Sequence, residues 1–129
     1  MGTMILAGVV IIAAAAWLLY IRSMRVKDGD RQDISPTEAL DLWQQQSAVI
    51  LDVRTKEEYN QGHIPGVLWI PLAQIPERTK EIPRQGNVLV ICRSGNRSGQ
   101  AVRFLRQQGF DNIRNIAGGM LNWRGPVEK

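Results

Sequence analysis

The only cysteine of the chain, Cys92, lies in a segment whose composition suits an ionised thiol. Cys92 follows a run of β-forming residues, 87 to 91. It precedes a loop made of Arg93, Ser94, Gly95, Asn96, Arg97 and Ser98. A thiol is a good nucleophile only once it ionises, and free cysteine titrates about a unit or more above neutral pH. The segment therefore predicts an anion-binding loop around one reactive sulfur.

Three features of this loop are expected to lower the pKa of the thiol. A helix predicted to begin near Ser98 would point its unpaired N–H groups at an anion. Arg93 and Arg97 add positive charge. Gly95 and Asn96 tolerate the left-handed backbone that lets successive N–H groups converge in a nest. The plain alternative, a small hydrophobic cysteine at the end of a buried strand, leaves this loop composition unexplained.

A cysteine-based phosphatase or arsenate reductase is the closest catalytic alternative. Its loop is also a nest around a thiolate, but it needs Cys-x5-Arg, with the guanidinium bonded to the phosphoryl oxygens through two N–H groups. Here the arginine, Arg97, comes one place early, and Ser98 occupies the required position. A loop one residue shorter predicts a smaller ligand than phosphate.

The rest of the sequence predicts the elements that must position Cys92. Ser35, Pro36 and Glu38 begin a helix with a capping-box pattern. Short apolar runs at 48–53 and 87–92 are typical of strands buried on both faces. We also expect helices at 55–62 and 98–109, helical turns at 72–83, strands at 66–71 and 112–116, and a final turn at 118–123. Alternating strands and helices predict an α/β domain with a largely parallel sheet. Ligands gather at the carboxyl ends of such strands, where Cys92 lies.

The N-terminal segment differs from the rest in composition. Residues 4–21 carry no charge, and as a helix they would reach about 27 Å, just enough for a hydrocarbon core. Basic residues, but no acidic ones, follow within 22–27. The positive-inside rule then predicts a single-pass membrane anchor at 4–21, within an N-terminal unit of residues 1–27, and a domain at 28–129 that faces the cytoplasm. A cleaved signal peptide is the alternative, and it would place the domain outside the cytoplasm. A positive n-region and a small-residue cleavage site are both missing.

Composition also excludes several classes of function. One cysteine in 129 residues leaves no internal disulfide framework and no multi-cysteine zinc site. The single histidine, His63, argues against a metal centre. The net charge of +4 is concentrated in the first 27 residues, and no basic patch interleaved with aromatics suggests nucleic acid.

Three segments together resemble the rhodanese family of sulfurtransferases. They are CRSGNRS at the loop, LDVRTKEEYNQGHIPGV before it and IAGGMLNW near the C-terminus, and the resemblance covers about residues 32 to 124. It implies a five-stranded parallel sheet flanked by helices and a persulfide on Cys92. The implied donor is a small sulfur anion such as thiosulfate, and the implied acceptor is cyanide or a thiol. No metal or organic cofactor is called for.

Five further residues are predicted to support the site. We expect Asp52 and Arg54 to brace loops through an ion pair, and His63 to satisfy backbone carbonyls in a turn rather than to shuttle protons. Gly118 and Gly119 are expected to let the backbone approach the active loop closely.

Two other functions stay open at this point. One is a membrane-tethered module that binds or regulates a partner without catalysis. The other is a redox sensor, which would need an external thiol to resolve it because the chain has no second cysteine.

Overall fold

The computed structural model describes residues 11–20 and 32–129. Residues 11–20 are helical (α1). The elements after them are β1 (Asp33–Ile34), α2 (Pro36–Gln44), β2 (Ala48–Asp52), α3 (Lys56–Gln61), β3 (Leu68–Trp69), β4 (Asn87–Ile91), α4 (Asn96–Gln107) and β5 (Ile113–Ile116). Short 3-10 turns occupy Leu72–Glu77, Thr79–Glu81 and Gly119–Asn122.

The five strands form one parallel sheet in the order β1-β5-β4-β2-β3, with helices packed against it. This confirms the predicted α/β fold and its five-stranded parallel sheet. In the centre, Asp52 of β2 pairs with Ile91 of β4, so the two strands end side by side. The residues that follow them, Val53 and Cys92, therefore meet at one edge of the sheet.

The side chains of β4 alternate between two buried clusters. Val88, Val90 and Cys92 belong to the cluster that also contains the apolar face of α4. Leu89 and Ile91 belong to the cluster on the opposite face, which includes Ala39 of α2. Period-two alternation thus places the sulfur on the α4 side of the sheet.

Two elements differ from the predicted boundaries near the loop. Helix α4 begins at Asn96 rather than near Ser98, because Gly95 takes a left-handed conformation (φ 103°) and serves as the N-cap. The edge strand β1 was not predicted, since two residues are too few to show a periodic pattern. Its partner is β5, with Asp33 opposite Asn115.

The helix caps use the residue types that favour them. The Ser35 hydroxyl accepts the N–H of Glu38 at 3.1 Å and so caps α2. In α3 both bonds of a capping box form: Thr55 Oγ1 accepts the N–H of Glu58, and the Glu58 carboxylate accepts the N–H of Thr55. This capping box fixes Glu58 in the first turn of α3, where its carboxylate can reach Arg97 of the active loop.

The N-terminal prediction needs a correction. Within residues 11–20 and 32–129, no helix combines the length and the apolar character that crossing a membrane requires. We therefore correct the prediction of a single-pass anchor and of a domain facing the cytoplasm. Residues 4–10 and 21 of the predicted span, and the basic segment 22–27, lie outside the described residues.

Candidate active site

The Cys92 side chain is buried beneath its loop and accepts hydrogen bonds. Cys92 is 1% exposed, and its Sγ lies 3.1 Å from the amide nitrogen of Gly95 and 3.2 Å from the Ser98 hydroxyl. Burial raises the pKa of the thiol, but the Ser98 hydroxyl and the amides of Ser98, Gly95 and Ser94 donate to the sulfur. Together they outweigh burial and hold the pKa of Cys92 below its ordinary value.

The donors around the sulfur come from backbone and hydroxyl groups rather than from the two arginines. Gly95 is the loop residue with positive φ, whereas Asn96 is already the first residue of α4. Only Gly95, and not Asn96, therefore supplies the left-handed backbone that was predicted for the nest, and Gly95 points its own N–H towards the sulfur. Arg93 is exposed at the rim of the loop.

Arg97 pairs with α3 instead of with the sulfur. Its Nη1 and Nη2 donate to the two carboxylate oxygens of Glu58 at 2.6 and 2.8 Å. The Arg97 guanidinium lowers the pKa of Glu58 to about 2, and Glu58 in turn raises the pKa of Arg97. A weaker attraction to the Cys92 thiolate adds to the rise for Arg97. Arg97 therefore acts mainly as a clamp between α4 and α3, while its positive charge still attracts the thiolate.

Asp52 and Arg54 form a buried ion pair next to this clamp. Arg54 Nη2 donates to Asp52 Oδ2 at 2.8 Å, and Arg54 Nε donates to Asp52 Oδ1 at 3.0 Å. The same guanidinium also donates to the carbonyl oxygens of Glu58 and Gly62. Arg54 therefore links the end of β2 to the end of α3 and holds α3 in a fixed position relative to the sheet.

The turn after β5 holds the active loop from the other side. The N–H groups of Met120 and Leu121 donate to the carbonyl oxygens of Cys92 and Arg93 at 2.8 and 3.1 Å. A Cβ on Gly119 would lie 2.6 Å from the Arg93 carbonyl oxygen. Gly119 thus allows the close approach that its sequence position suggested.

Gly118 has a φ of 75° and begins the turn, and a Cβ there would clash with the Asn122 side chain within the turn rather than with the active loop. The left-handed conformation is one that glycine adopts without a steric penalty.

His63 contacts other parts of the chain. Its Nδ1 lies 3.0 Å from the Tyr59 carbonyl oxygen, its ring stacks on Tyr59 with centroids 3.9 Å apart, and its Nε2 lies 3.5 Å from Glu128. These contacts join α3 to the C-terminal segment.

A cleft of about 480 Å³ opens beside the loop and is lined by Arg54, Glu58, Gln61 and Arg93. The exposed Arg93 supplies positive charge there that no ion pair among the described residues neutralises. Arg93 thus gives this cleft a positive charge that suits a small anionic ligand. In residues 11–20 and 32–129, no cluster of three or more histidine, cysteine or acidic side chains is placed to hold a metal ion.

Asn115 of β5 is the site residue that the sequence reasoning missed. It is 7% exposed, and its Oδ1 lies 2.6 Å from the Ser98 hydroxyl oxygen, as a second acceptor for the same hydroxyl hydrogen. Its Nδ2 donates to Asp33 Oδ1 at 3.2 Å and to the Gly95 carbonyl oxygen at 3.3 Å. A polar side chain inside a buried strand costs free energy unless it is hydrogen-bonded. An asparagine within the predicted strand 112–116 was therefore the sequence signal that could have identified Asn115 as a site residue.

Comparison with known proteins adds a family to this geometry. The family model for the rhodanese-like domain matches residues 35–126. A protein named sulfurtransferase from Allochromatium vinosum is 42% identical over 78 residues, which is 60% of this chain and 73% of that protein. The thiosulfate sulfurtransferase GlpE of Pseudomonas entomophila is 35% identical over 91 residues, 70% of this chain and 83% of GlpE.

Other matches are to parts of longer proteins and to solved structures. YrkF of Bacillus subtilis is 43% identical over 83 residues, 64% of this chain, but the match spans only 45% of its own length. The crystal structure of a rhodanese-related protein from Thermoplasma volcanium superposes with a TM-score of 0.70 at 33% identity. That superposition covers 75% of this chain and 97% of the other.

Proposed function

The chain belongs to the rhodanese-like domain family, and from this we propose that it moves sulfane sulfur from a donor such as thiosulfate to a thiol or cyanide acceptor. The relatives named as sulfurtransferases support sulfur transfer in general, and the GlpE name supports thiosulfate as the donor. The observation that carries the proposal is the pair of donors on Cys92 Sγ, from Gly95 N–H and the Ser98 hydroxyl. Such donors favour an anionic sulfur over a neutral thiol.

The first step is attack of the Cys92 thiolate on the outer sulfur of thiosulfate. A bond forms between Sγ and that sulfur, the S–S bond of thiosulfate breaks, and its electron pair leaves with sulfite. The product is a persulfide anion on Cys92, so the total charge is unchanged. Backbone N–H groups of the loop stabilise the anionic sulfur as it moves outward.

The second step returns the enzyme to its thiolate. Cyanide or a thiolate attacks the outer sulfur of the persulfide and leaves as thiocyanate or as a new persulfide, and the electron pair of the broken bond returns to Sγ. The cycle needs no cofactor beyond the covalent persulfide.

The residues around Cys92 take separate roles in this cycle. Arg93, at the rim of the cleft, orients the oxyanion end of thiosulfate. Ser94, Gly95 and Ser98 supply donors to the sulfur. Asn96 and Arg97 fix the loop to the start of α4. Asp52 and Arg54 hold α3 in place, while Gly118 and Gly119 hold the loop from the opposite side.

The test is the intact mass of the full chain after incubation with thiosulfate, with Cys92→Ser as the matched control. We expect a gain of one sulfur, about 32 Da, which cyanide or dithiothreitol then removes. Cys92→Ser should gain nothing. If the wild-type thiol is free and no adduct forms with thiosulfate or with a persulfide donor, sulfur transfer is refuted and a binding role for the same loop takes its place.

Phosphate-ester chemistry is disfavoured by the same geometry. A phosphatase needs the loop guanidinium on the phosphoryl oxygens, but both terminal nitrogens of Arg97 donate to Glu58.

A further inference from the structure

We infer that Asn115 is a positioning residue that controls the hydroxyl of Ser98, and through it the ionisation and sulfur loading of Cys92. The inference rests on the proposed function only for sulfur loading. The part that concerns ionisation depends on the geometry of three side chains alone.

The Ser98 hydroxyl has one hydrogen but two possible acceptors near it. Ser98 Oγ lies 3.2 Å from Cys92 Sγ and 2.6 Å from Asn115 Oδ1, and Ser98 is fully buried. A hydroxyl carries one hydrogen and donates one hydrogen bond, although its oxygen also accepts. The hydroxyl therefore cannot donate to the sulfur and to the amide oxygen at the same time.

The neighbours of Asn115 decide which end of its amide faces Ser98. The Asp33 carboxylate and the Gly95 carbonyl oxygen, both acceptors, lie 3.2 and 3.3 Å from Nδ2. They hold the NH2 group on their side and leave Oδ1 towards Ser98, because the reversed amide would set oxygen against oxygen at both contacts. Asn115 thus presents an acceptor to the hydroxyl in a fixed direction.

Two arrangements of the hydroxyl follow from this. When Cys92 is a neutral thiol, its S–H donates to Ser98 Oγ, and the Ser98 hydroxyl donates to Asn115. When Cys92 is a thiolate, the hydroxyl turns to the sulfur, and the buried Oδ1 loses its donor. Asn115 therefore opposes ionisation, since an unsatisfied buried acceptor is costly. Once Sγ carries a sulfane sulfur, it is a weak acceptor, so the Ser98 hydroxyl donates to Asn115 again. Asn115 therefore favours the persulfide over the free thiolate.

Charged groups surround this chain of hydrogen bonds on every side. Asp33 and Arg103 line a cleft of about 420 Å³ together with Asn115. On the side of α3 and β2 are two ion pairs, Arg97 with Glu58 and Arg54 with Asp52, and Arg93 lies at the exposed rim. Asn115→Ala changes none of these charges, so its comparison with the wild type isolates the shared hydroxyl.

The experiment measures the alkylation rate of Cys92 against pH in the full-length wild type, Asn115→Ala and Asn115→Asp. Asn115→Ala removes the competing acceptor, and we expect the thiolate to become about tenfold more favourable, the size of one hydrogen bond to a charged group. Intrinsic reactivity falls about threefold for the same change. The net result is a rate about threefold higher at pH 6 and about threefold lower at pH 10.

Asn115→Asp keeps the acceptor oxygen and adds negative charge. The inference therefore requires its alkylation profile to shift towards higher pH, opposite to that of Asn115→Ala. A variant that merely loosens the loop would move both profiles in the same direction, and that result would overturn the inference. If Asn115→Ala does not fold, the Asn115→Asp profile decides the question alone, because an unchanged or acid-shifted profile contradicts the competing acceptor.

A double variant supplies the second check. In a Ser98→Ala background there is no hydroxyl to share, so Asn115→Ala should leave the alkylation profile unchanged. An effect as large as in the wild-type background would mean that Asn115 acts by another route.

Sulfur loading separates this inference from the proposed function. At a fixed ratio of thiosulfate to sulfite, Asn115→Ala should carry several-fold less persulfide than the wild type. If the wild type itself loads no sulfur, the proposed function fails, while opposite shifts of the two alkylation profiles would still support control of ionisation by Asn115. Equal loading in wild type and Asn115→Ala would overturn the loading half of the inference.

Discussion

The clamp between Arg97 and Glu58 leads to a prediction about stability against pH. The pKa of Glu58 falls from its usual 4.5 to about 2, which corresponds to at most about 3 kcal/mol at 1.36 kcal/mol per unit. The side chains of Arg97 and Glu58 are 32% and 24% exposed, so solvent screens part of this energy. We expect Glu58→Gln to lower the free energy of unfolding by about 1–2 kcal/mol at pH 7. Glutamine keeps one acceptor for the capping box with Thr55, so the loss reports the ion pair with Arg97, including one of its two hydrogen bonds.

The stability that the Glu58 carboxylate contributes should decrease as the pH falls. A carboxylate whose pKa is depressed by folding contributes all of its stability above the unfolded value of 4.5, and loses it as the pH falls towards 2. The difference between wild type and Glu58→Gln should therefore be constant above pH 5, and less than half of it should remain at pH 3.

Urea unfolding of both proteins from pH 7 to pH 3 measures that difference. Glu57→Gln is the matched control, because Glu57 is an exposed residue one position earlier in α3, and its substitution should cost within about 0.5 kcal/mol. The reasoning is refuted if Glu58→Gln costs no more than Glu57→Gln, or if the gap does not change with pH.

Three further substitutions test other parts of the site. Ser98→Ala removes a donor to the sulfur, so the pKa of the thiol should rise and alkylation at pH 7 should slow about threefold or more. Gly119→Ala places a methyl group against the backbone of the active loop and should cost about 3 kcal/mol in denaturant unfolding. Gly86→Ala, also at positive φ but in open space, should cost about 1 kcal/mol. Arg54→Met leaves its partner carboxylate buried and unpaired, at a cost of about 3–5 kcal/mol. Arg78→Met breaks an exposed pair instead, and the same unfolding assay should detect a far smaller loss, because solvent screens that pair.

The sequence was sufficient to predict the parts of the fold that depend on local pattern. The apolar run before Cys92 was typical of a strand buried on both faces, and the end of such a strand in a parallel sheet is where ligands collect. The order of strands and helices then led to the parallel α/β fold. The cluster of small and basic residues after Cys92 likewise pointed to the loop whose Gly95 N–H and Ser98 hydroxyl lie beside the sulfur.

The sequence was not sufficient where position depends on residues far apart in the chain. The bond between Arg97 and Glu58 spans 39 residues, and that between Asn115 and Asp33 spans 82. The start of α4 was misplaced for a different reason, because Gly95 caps the helix through its left-handed backbone and not through a side chain. The predicted anchor is corrected because no helix within residues 11–20 and 32–129 is long and apolar enough to cross a membrane.

The edge strand β1 has a consequence for the order in which the protein folds. Asp33 pairs with Asn115, 82 residues away in sequence, whereas β4 and β5 are separated by 25 residues at Val88 and Ile113. Closing the longer loop costs more chain entropy, and only two residues of β1 repay it. This contact should therefore form after the rest of the sheet and open before it, with faster amide exchange at Ala117, bonded to Ile34, than in β4. Because Asp33 also bonds to the Asn115 amide that faces Ser98, we expect the thiol to reach its final reactivity only once this contact has formed.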